Sequence, residues 1–242
     1  MLNIVTALKI EAEPIIKHFE LKSRGEIYQN ENINLIITGQ GKIKSAISTA
    51  LLLSKHHYQT LNIGIAGSDR HEINQGFFIH KITDTDTGHN YYPDFFKLPS
   101  EEIHTVSKIG KYFNLTDMEA SGFFEAAYKF LNVNEIILYK IVSDTPSYKA
   151  NIKEIPSLIY SHIKTIESLI ENISQKNVFF TEINQALLEA KKKMKLTKTQ
   201  ENQLRQLLTF YKTKNISFPE FKELKKKEEV KEFINHLVNC VL

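Results

Sequence analysis

The sequence predicts an α/β domain, in which helices flank a central mixed, largely parallel sheet, followed by an all-helical C-terminal segment. Short apolar runs alternate with segments of helical periodicity as far as residue 174. All nine glycines lie at or before Gly122. Residues 175–242 carry 14 Lys/Arg and 8 Asp/Glu, a net charge of +6, whereas residues 1–174 carry 17 and 20, a net charge of −3. We therefore predict two domains, residues 1–174 and 175–242.

Hydrophobic periodicity places the individual elements. The predicted strands are residues 2–8, 34–38, 60–65, 76–82 and 135–142. The predicted helices of the first domain are residues 11–19, 43–53, 118–131 and 158–173. Pro14 is tolerated in the first turn of the first of these helices. The basic segment reads as three further helices, residues 187–196, 199–212 and 221–238.

Composition excludes several protein classes. The single Cys240 cannot form a disulfide framework or a cysteine-built zinc site, and it fits a reducing compartment. The chain has no run of about 18 apolar residues, so no membrane span is expected. Its start lacks the pattern of a signal peptide, and we expect a cytoplasmic protein. The nine histidines lack the helical zinc-motif spacing, so we expect no metal.

Three acids are placed where an α/β sheet binds ligands, at the carboxyl ends of its strands. Glu11 opens the helix after the first strand, Glu119 lies early in a later helix, and Asp144 follows the fifth strand. Each region also has an ordinary structural explanation. Glu11 compensates a helix dipole, Asp117 or Thr116 caps a helix, and Asp144 is a turn residue. The shared position of the three acids favours a functional site.

Five segments occur in the order seen in the nucleoside phosphorylase/nucleosidase superfamily. They are residues 7–13 (Ala-Leu-Lys-Ile-Glu-Ala-Glu), 38–42 (Thr-Gly-Gln-Gly-Lys), 64–67 (Gly-Ile-Ala-Gly), 117–120 (Asp-Met-Glu-Ala) and 142–144 (Val-Ser-Asp). Over residues 1–173 the chain most resembles the methylthioadenosine/S-adenosylhomocysteine nucleosidases. The resemblance implies a three-layer phosphorylase-like fold and a homodimer. It also implies hydrolysis of an adenosine-derived nucleoside, of the methylthioadenosine, S-adenosylhomocysteine or 5′-deoxyadenosine type, with no cofactor.

The resemblance also implies a role for each acid. Glu11 positions the attacking water, Glu119 holds the ribose hydroxyls, and Asp144 protonates the departing purine. A carboxylic acid that donates a proton at neutral pH needs a raised pKa, which a water-excluded pocket provides. The implied substrate contacts are Ala66, Gly67, Met118, Ser143, Val106, Tyr92 and Phe95.

The sequence departs from the family pattern in its middle. Only residues 83–116 separate the fourth strand from the Asp-Met-Glu motif, where relatives have a longer stretch. Within it, Val106 is a candidate to flank the base, and Tyr92 and Phe95 are candidates to close over the ligand or to pack on the surface. The chain lacks the arginines that phosphate-using relatives carry, with Arg70 alone near the third strand, so we expect water rather than phosphate as the nucleophile.

The basic helices leave three interpretations open: a nucleic-acid arm, a partner-binding module, or an extension packed on the core. Their lysines mingle with glutamates, and two of the helices carry apolar faces. These features favour docking within the chain or to a protein, and we do not expect a nucleic-acid or membrane partner. The alternatives for the whole chain are a phosphate-dependent nucleoside phosphorylase and a non-catalytic nucleoside-binding protein whose tail binds a partner or nucleic acid.

Overall fold

The computed structural model describes residues 1–94, 97–108, 110 and 112–239, with the backbone alone at 174–178, 180 and 239. The chain divides into two compact units, Met1–Ile170 and Glu171–Leu242. The first unit is α/β and the second is helical. Among the described helices, none is long and apolar enough to cross a membrane.

The first unit combines strands and helices in alternation. Its strands are β1 (Leu2–Thr6), β2 (Lys22–Arg24), β3 (Ile27–Gln29), β4 (Ile33–Ile37), β5 (Thr60–Gly67), β6 (Gly76–Asp84), β7 (Asn90–Tyr91), β8 (Ser100–Thr105), β9 (Thr116–Asp117), β10 (Ile136–Thr145) and β11 (Tyr148–Lys149). Its helices are α1 (Lys9–His18), α2 (Lys42–Lys55), α3 (Ala120–Ala127), α4 (Ile155–Ser161) and the start of α5 (Ile163–Lys193).

The strands form one mixed sheet, in the order β11-β10-β6-β8-β9-β5-β1-β4-β3-β2. Strands β4, β1, β5 and β10 run parallel to one another. Because β10 also pairs with β5, the strands β10, β6, β8, β9 and β5 close into a ring. The parallel arrangement brings the carboxyl ends of β1, β5 and β10 to one edge, which is where the sequence places its acids.

The core lies where the sheet meets α2 and α3. Strand β1 is buried at all of its positions, as expected for a strand covered on both faces. Phe123 and Leu138 are buried in the cluster that joins α3 to the sheet. A Cβ atom on Gly122 would overlap the backbone carbonyl of Lys42, so this glycine allows α2 and α3 to cross closely.

Several boundaries differ from the sequence-based predictions. Strand β10 continues through Thr145 instead of stopping at residue 142, because its last residues pair with β11. Helix α1 begins at Lys9, which moves Pro14 beyond the predicted first turn. Helix α3 is shorter than the predicted 118–131, because the residues just before it belong to β9 and a turn.

The long helix α5 was predicted as two helices, and the short hairpin of β2 and β3 was not predicted. Residues 163–193 contain neither Gly nor Pro, so nothing local interrupts α5. The hairpin strands are three residues long, and β2 is exposed throughout, so neither carries an apolar pattern.

The second unit contains the rest of α5, with α6 (Lys198–Thr213) and α7 (Lys227–Asn239), around a core of its own. Helix α6 begins with a capping box, in which Thr197 Oγ1 accepts from Gln200 N at 3.3 Å and Thr197 N donates to Gln200 Oε1 at 3.0 Å. The third helix predicted in this segment, residues 221–238, begins only at Lys227. Phe221 lies before it, outside any helix, and is buried in this core. The apolar faces of the helices therefore cover one another.

Candidate functional site

A buried lysine lies among three acids at the carboxyl edge of the sheet. Lys140, in the middle of β10, is 2% exposed. The carboxyl groups of Glu11, Asp117 and Glu119 are all buried and all act on its charge. We call these four residues the buried charge cluster.

Glu11 links helix α1 to strand β5. Its Oε2 accepts a hydrogen bond from Leu8 N at 2.7 Å, and its Oε1 accepts one from Ile65 N at 2.9 Å. Burial raises the pKa of Glu11, while the two amides and Lys140 act in the opposite direction. The same carboxylate therefore serves the first turn of α1 and reaches across to β5.

Glycine is required beside this carboxylate. Gly64 is the register partner of Lys140 in the parallel pair of β5 and β10. A Cβ atom on Gly64 would lie 2.8 Å from Glu11 Oε1. A side chain at this position would displace the carboxylate from the site.

Glu119 links the start of α3 to the start of α2. Its Oε1 accepts a hydrogen bond from Gly41 N at 2.8 Å. Gly41 has a φ of 105°, a conformation that favours glycine. Burial, and after it the neighbouring Asp117 carboxylate, raise the pKa of Glu119 to about 7, although Lys140 opposes them.

Asp117 neutralises Lys140. Its Oδ2 lies 2.9 Å from Lys140 Nζ and accepts from Ala120 N at 2.9 Å, while its Oδ1 accepts from Thr105 Oγ1 at 2.9 Å. The bond to Ala120 is the helix-start role expected for this acid. Burial would lower the pKa of Lys140, but Asp117, Glu119 and Glu11 together raise it, so the lysine stays charged.

Sequence reasoning did not identify Lys140. The residue stands in an apolar run, Ile136 to Val142, that was interpreted as a buried strand. The signal was nevertheless there, because a charged residue inside a strand buried on both faces requires a partner.

Asp144 lies at the same edge, four residues beyond Lys140 on β10. A β-bulge at Ser143 brings Asp144 opposite Gly67. Asp144 Oδ2 accepts from Ser143 Oγ at 3.0 Å, and Oδ1 accepts from Ala150 N at 3.0 Å. Asp144 is half-buried. It is therefore not enclosed in the water-excluded pocket that a donating acid requires.

The ring of Tyr112 covers the face of Gly67. A Cβ atom on Gly67 would overlap Cε1 of that ring. Burial and the nearby Asp144 raise the pKa of Tyr112. The resemblance implied that Gly67 and Ala66 contact the substrate, and no local pattern indicated that this tyrosine would lie there.

The other predicted substrate contacts are dispersed. Val106 is buried, and its N–H donates to Asp117 O at 2.9 Å, next to the buried charge cluster. Met118 Sδ accepts from Gln40 Nε2 at 3.1 Å. Tyr92 is 63% exposed in a groove beside α2 and α3, and no described contact joins it to the acids. Phe95 lies outside the described residues.

Within the described ranges, no three His, Cys, Asp or Glu residues are arranged to hold a metal ion. The buried charge cluster instead contains its own cation, the ammonium group of Lys140.

Solved structures of nucleosidases share this fold. The 5′-methylthioadenosine nucleosidase of Arabidopsis thaliana superposes with a TM-score of 0.59 at 14% identity, over 70% of this chain and 95% of that one. The 5′-methylthioadenosine/S-adenosylhomocysteine nucleosidase of Campylobacter jejuni gives 0.59 at 16% identity, over 71% and 98%. The corresponding enzyme of S. pneumoniae, with a transition-state inhibitor, gives 0.56 at 16%, over 70% and 97%.

These similarities confirm the predicted phosphorylase-like α/β fold with added C-terminal helices. No protein-family model matches the chain, and no curated protein matches it in sequence. Sequence identities of 14–16% establish the fold alone. The activity must be argued from the site.

Removing the central cation should destabilise the first unit. Lys140→Met leaves the buried Asp117 carboxylate without its counter-charge, and we expect a loss of about 3–5 kcal/mol in the free energy of unfolding, measured in urea. Adding Asp117→Asn should recover part of that loss. The exposed Lys153→Met is the control and should change stability by less than about 0.5 kcal/mol. Equal effects of the two lysine variants would contradict this account of the cluster.

Stability should also depend on pH through Glu119. Its pKa is raised from 4.5 to about 7 in the folded protein, so the native state binds this proton more tightly than the unfolded chain. The associated stability is complete below pH 4.5 and is lost as the pH rises through about 7. Glu119→Gln should flatten this decline in urea titrations across the same range, whereas the exposed Glu232→Gln should not. An unchanged slope in Glu119→Gln would refute the assignment.

Proposed function

We propose that this protein hydrolyses the N-glycosidic bond of an adenosine-derived nucleoside and releases the purine base. One observation carries the proposal: Glu11, Glu119 and Asp144 meet at a single sheet edge, in a fold shared with nucleosidases. Open α/β sheets bind ligands at this edge. The chemistry of glycoside cleavage needs one carboxyl group that accepts a proton and another that donates one.

Each carboxyl group has a distinct part in the reaction. Water attacks the anomeric carbon and gives a proton to Glu11, whose two oxygens are held by Leu8 and Ile65 amides. Glu119 binds the ribose hydroxyls, with the Met118 backbone beside it. As the carbon–nitrogen bond breaks, the base receives a proton from Asp144, which Ser143 Oγ holds in place.

Lys140 is the positioning residue of this mechanism. Three carboxyl groups so close together would repel one another and favour protonation of all of them. The ammonium group of Lys140 pairs with Asp117 and lowers the pKa of Glu11 and Glu119 relative to what burial alone would produce. Glu11 can then be ionised and receive a proton during attack.

Water is the nucleophile that the site supports best. Phosphate would need a cationic cradle beside the sugar. Arg70 does not supply one, because its side chain is 69% exposed and its nearest acid is Asp69, at 4.0 Å. Lys140 is already engaged by Asp117. A nucleoside phosphorylase remains the second candidate, since it uses the same fold and base-release chemistry.

Tyr112 defines the base side of the site in this proposal. Its ring covers Gly67, and the nearby Asp144 contributes to the raised pKa of its hydroxyl group. A purine that takes its proton from Asp144 must lie against this ring or displace it. An aromatic face also offers a purine a stacking surface, which is worth about 1–3 kcal/mol in complexes with nucleic-acid bases.

We also propose the homodimer that the resemblance implies. The outer faces of α2 and α3 leave large apolar side chains in water, with Ile43 76%, Ile47 64% and Tyr128 57% exposed. Tyr92 and Tyr128 line a groove of about 650 Å³ between them. Exposed apolar side chains of this size are typical of a protein interface, and a second copy would cover them.

Adenine release tests the activity. The protein is incubated with methylthioadenosine, S-adenosylhomocysteine and 5′-deoxyadenosine, and the free base is quantified by chromatography. Asp144→Asn and Glu11→Gln should each lower the rate about 100-fold or more, because each removes a proton-transfer group. Glu31→Gln, an exposed acid between β3 and β4, should leave the rate unchanged.

Three results would change the proposal. No adenine from any of the three nucleosides would refute it, as would an undiminished rate in Asp144→Asn. A strict requirement for phosphate would establish the phosphorylase instead. The same assays without phosphate in the buffer separate the two reactions.

The solution mass tests the dimer. Light scattering should give twice the 28.0 kDa of one chain. Ile47→Asp should shift the mass toward a single chain, because it places a charge in the proposed interface. Ile152→Asp is the matched control, since Ile152 is also 62% exposed but lies outside that surface. A single-chain mass at every concentration would exclude the dimer.

A further inference from the structure

Two lysine runs that are distant in sequence lie side by side in the second unit. The first run closes α5 (residues 191–193) and continues at Lys195; the second is residues 225–227, which lead into α7. Met194 and Leu224 form a parallel β-bridge, and Leu224 N donates to Lys193 O at 3.1 Å. This contact fixes the two runs next to each other.

Apolar packing beneath the β-bridge holds this contact in place, while the lysines on either side of it remain exposed to solvent. Met194 is 3% exposed and belongs, with Leu224 packed against it, to the apolar core of the second unit. The lysines of both runs are exposed. Between the runs lies a groove of about 530 Å³. Its lining is Lys191, Lys192, Lys193, Met194, Lys195, Glu223, Leu224 and Lys225. We call it the lysine groove.

Part of its positive charge is not neutralised. Lys191 pairs with Glu201 at 2.8 Å, and Lys193 pairs with Glu189 at 3.1 Å. In the described part of the chain, no ion pair joins an acid to any of the other three lysines, Lys192, Lys195 and Lys225. Glu223 is the one acid among the lining residues that the structure describes. The groove therefore presents an excess of cations to any ligand.

We infer that the lysine groove binds the phosphodiester backbone of a nucleic acid. A lysine ammonium group is a compact charge on a flexible side chain and can bind a phosphate group. Several such groups along one groove can bind successive phosphates of a nucleic-acid backbone. Among the described residues, the lining holds no aromatic side chain that would stack on bases, so binding should be independent of sequence. It also holds no exposed large apolar side chain of the kind that anchors a basic surface in a bilayer.

This inference reverses the expectation from sequence for a physical reason. Along the chain, the lysines alternate with glutamates, a pattern typical of an ordinary solvated helix. In the folded unit, Glu189 pairs with Lys193, and Glu201 pairs with Lys191 and, at 4.0 Å, with Lys198. The β-bridge at Met194 brings the remaining lysines of the two segments together. The inference is independent of the nucleosidase proposal, because it concerns the second unit alone.

Fluorescence anisotropy of the full chain with labelled oligouridine and with labelled duplex DNA of arbitrary sequence tests the inference. Binding should weaken as salt rises from about 50 to about 200 mM, with a log–log slope of about −2 to −3 for three phosphate contacts. The triple variant Lys192→Glu, Lys195→Glu and Lys225→Glu should bind at least about tenfold more weakly and lose most of that slope.

A second triple variant keeps the change in net charge and spares the groove. It carries Lys22→Glu, Lys55→Glu and Lys153→Glu, three exposed lysines of the first unit. This control should retain the affinity and the salt slope of the unmodified protein. Circular dichroism of both triples establishes that the helices of the second unit remain folded.

Three outcomes would overturn the inference. One is an equal loss of affinity in both triples, which would indicate a general effect of net charge. Another is the absence of oligonucleotide binding at about 50 mM salt, where electrostatic binding is strong. The third is groove-dependent sedimentation with phosphatidylserine vesicles and no oligonucleotide binding, which would assign the groove to a membrane surface.

Discussion

The charge of Lys140 is the constraint on which the edge of the first unit depends. An ammonium group 2% exposed in a strand is costly to bury unless acids surround it, and the acids in turn need its charge. Asp117 from β9, Glu119 from the residue before α3 and Glu11 from α1 all act on its charge. Glu11 accepts hydrogen bonds from the Leu8 and Ile65 amides, and Glu119 accepts one from the Gly41 amide. The cluster therefore ties helix starts to a strand as well as balancing charge. Packing and the proposed chemistry therefore share one set of atoms.

The two sides of the site differ in their exposure to water. On the side of Glu11 and Glu119, burial raises both pKa values, that of Glu119 to about 7. On the side of Asp144, the carboxyl group is half-buried and rests on Ser143 and the Ala150 amide. For Asp144 to donate a proton, a bound purine must complete the exclusion of water. Substrate binding and activation of the acid are thus linked in the proposed mechanism, with Tyr112 at the boundary.

The second unit adds a surface that the fold shared with nucleosidases does not explain. Its helices bury their apolar faces in a core of their own, and their polar faces are exposed to solvent, where a ligand can bind. The lysine groove forms there because Met194 and Leu224 pair across two chain segments. A nucleoside-cleaving unit joined to a unit that binds phosphate chains would place the two activities on one polypeptide, each testable without the other.

Sequence alone determined the alternation of strands and helices, and with it the edge where Glu11, Glu119 and Asp144 lie. Periodicity and strand-end position are local properties, and so they can be read from a single chain. Only the tertiary structure decided that Lys140 lies among these acids, that Tyr112 covers Gly67, and that Tyr92 lies in a groove on the helices instead. It also decided that two lysine runs share one groove. These outcomes depend on contacts between segments far apart in the sequence, and no local pattern encodes which distant residues will meet.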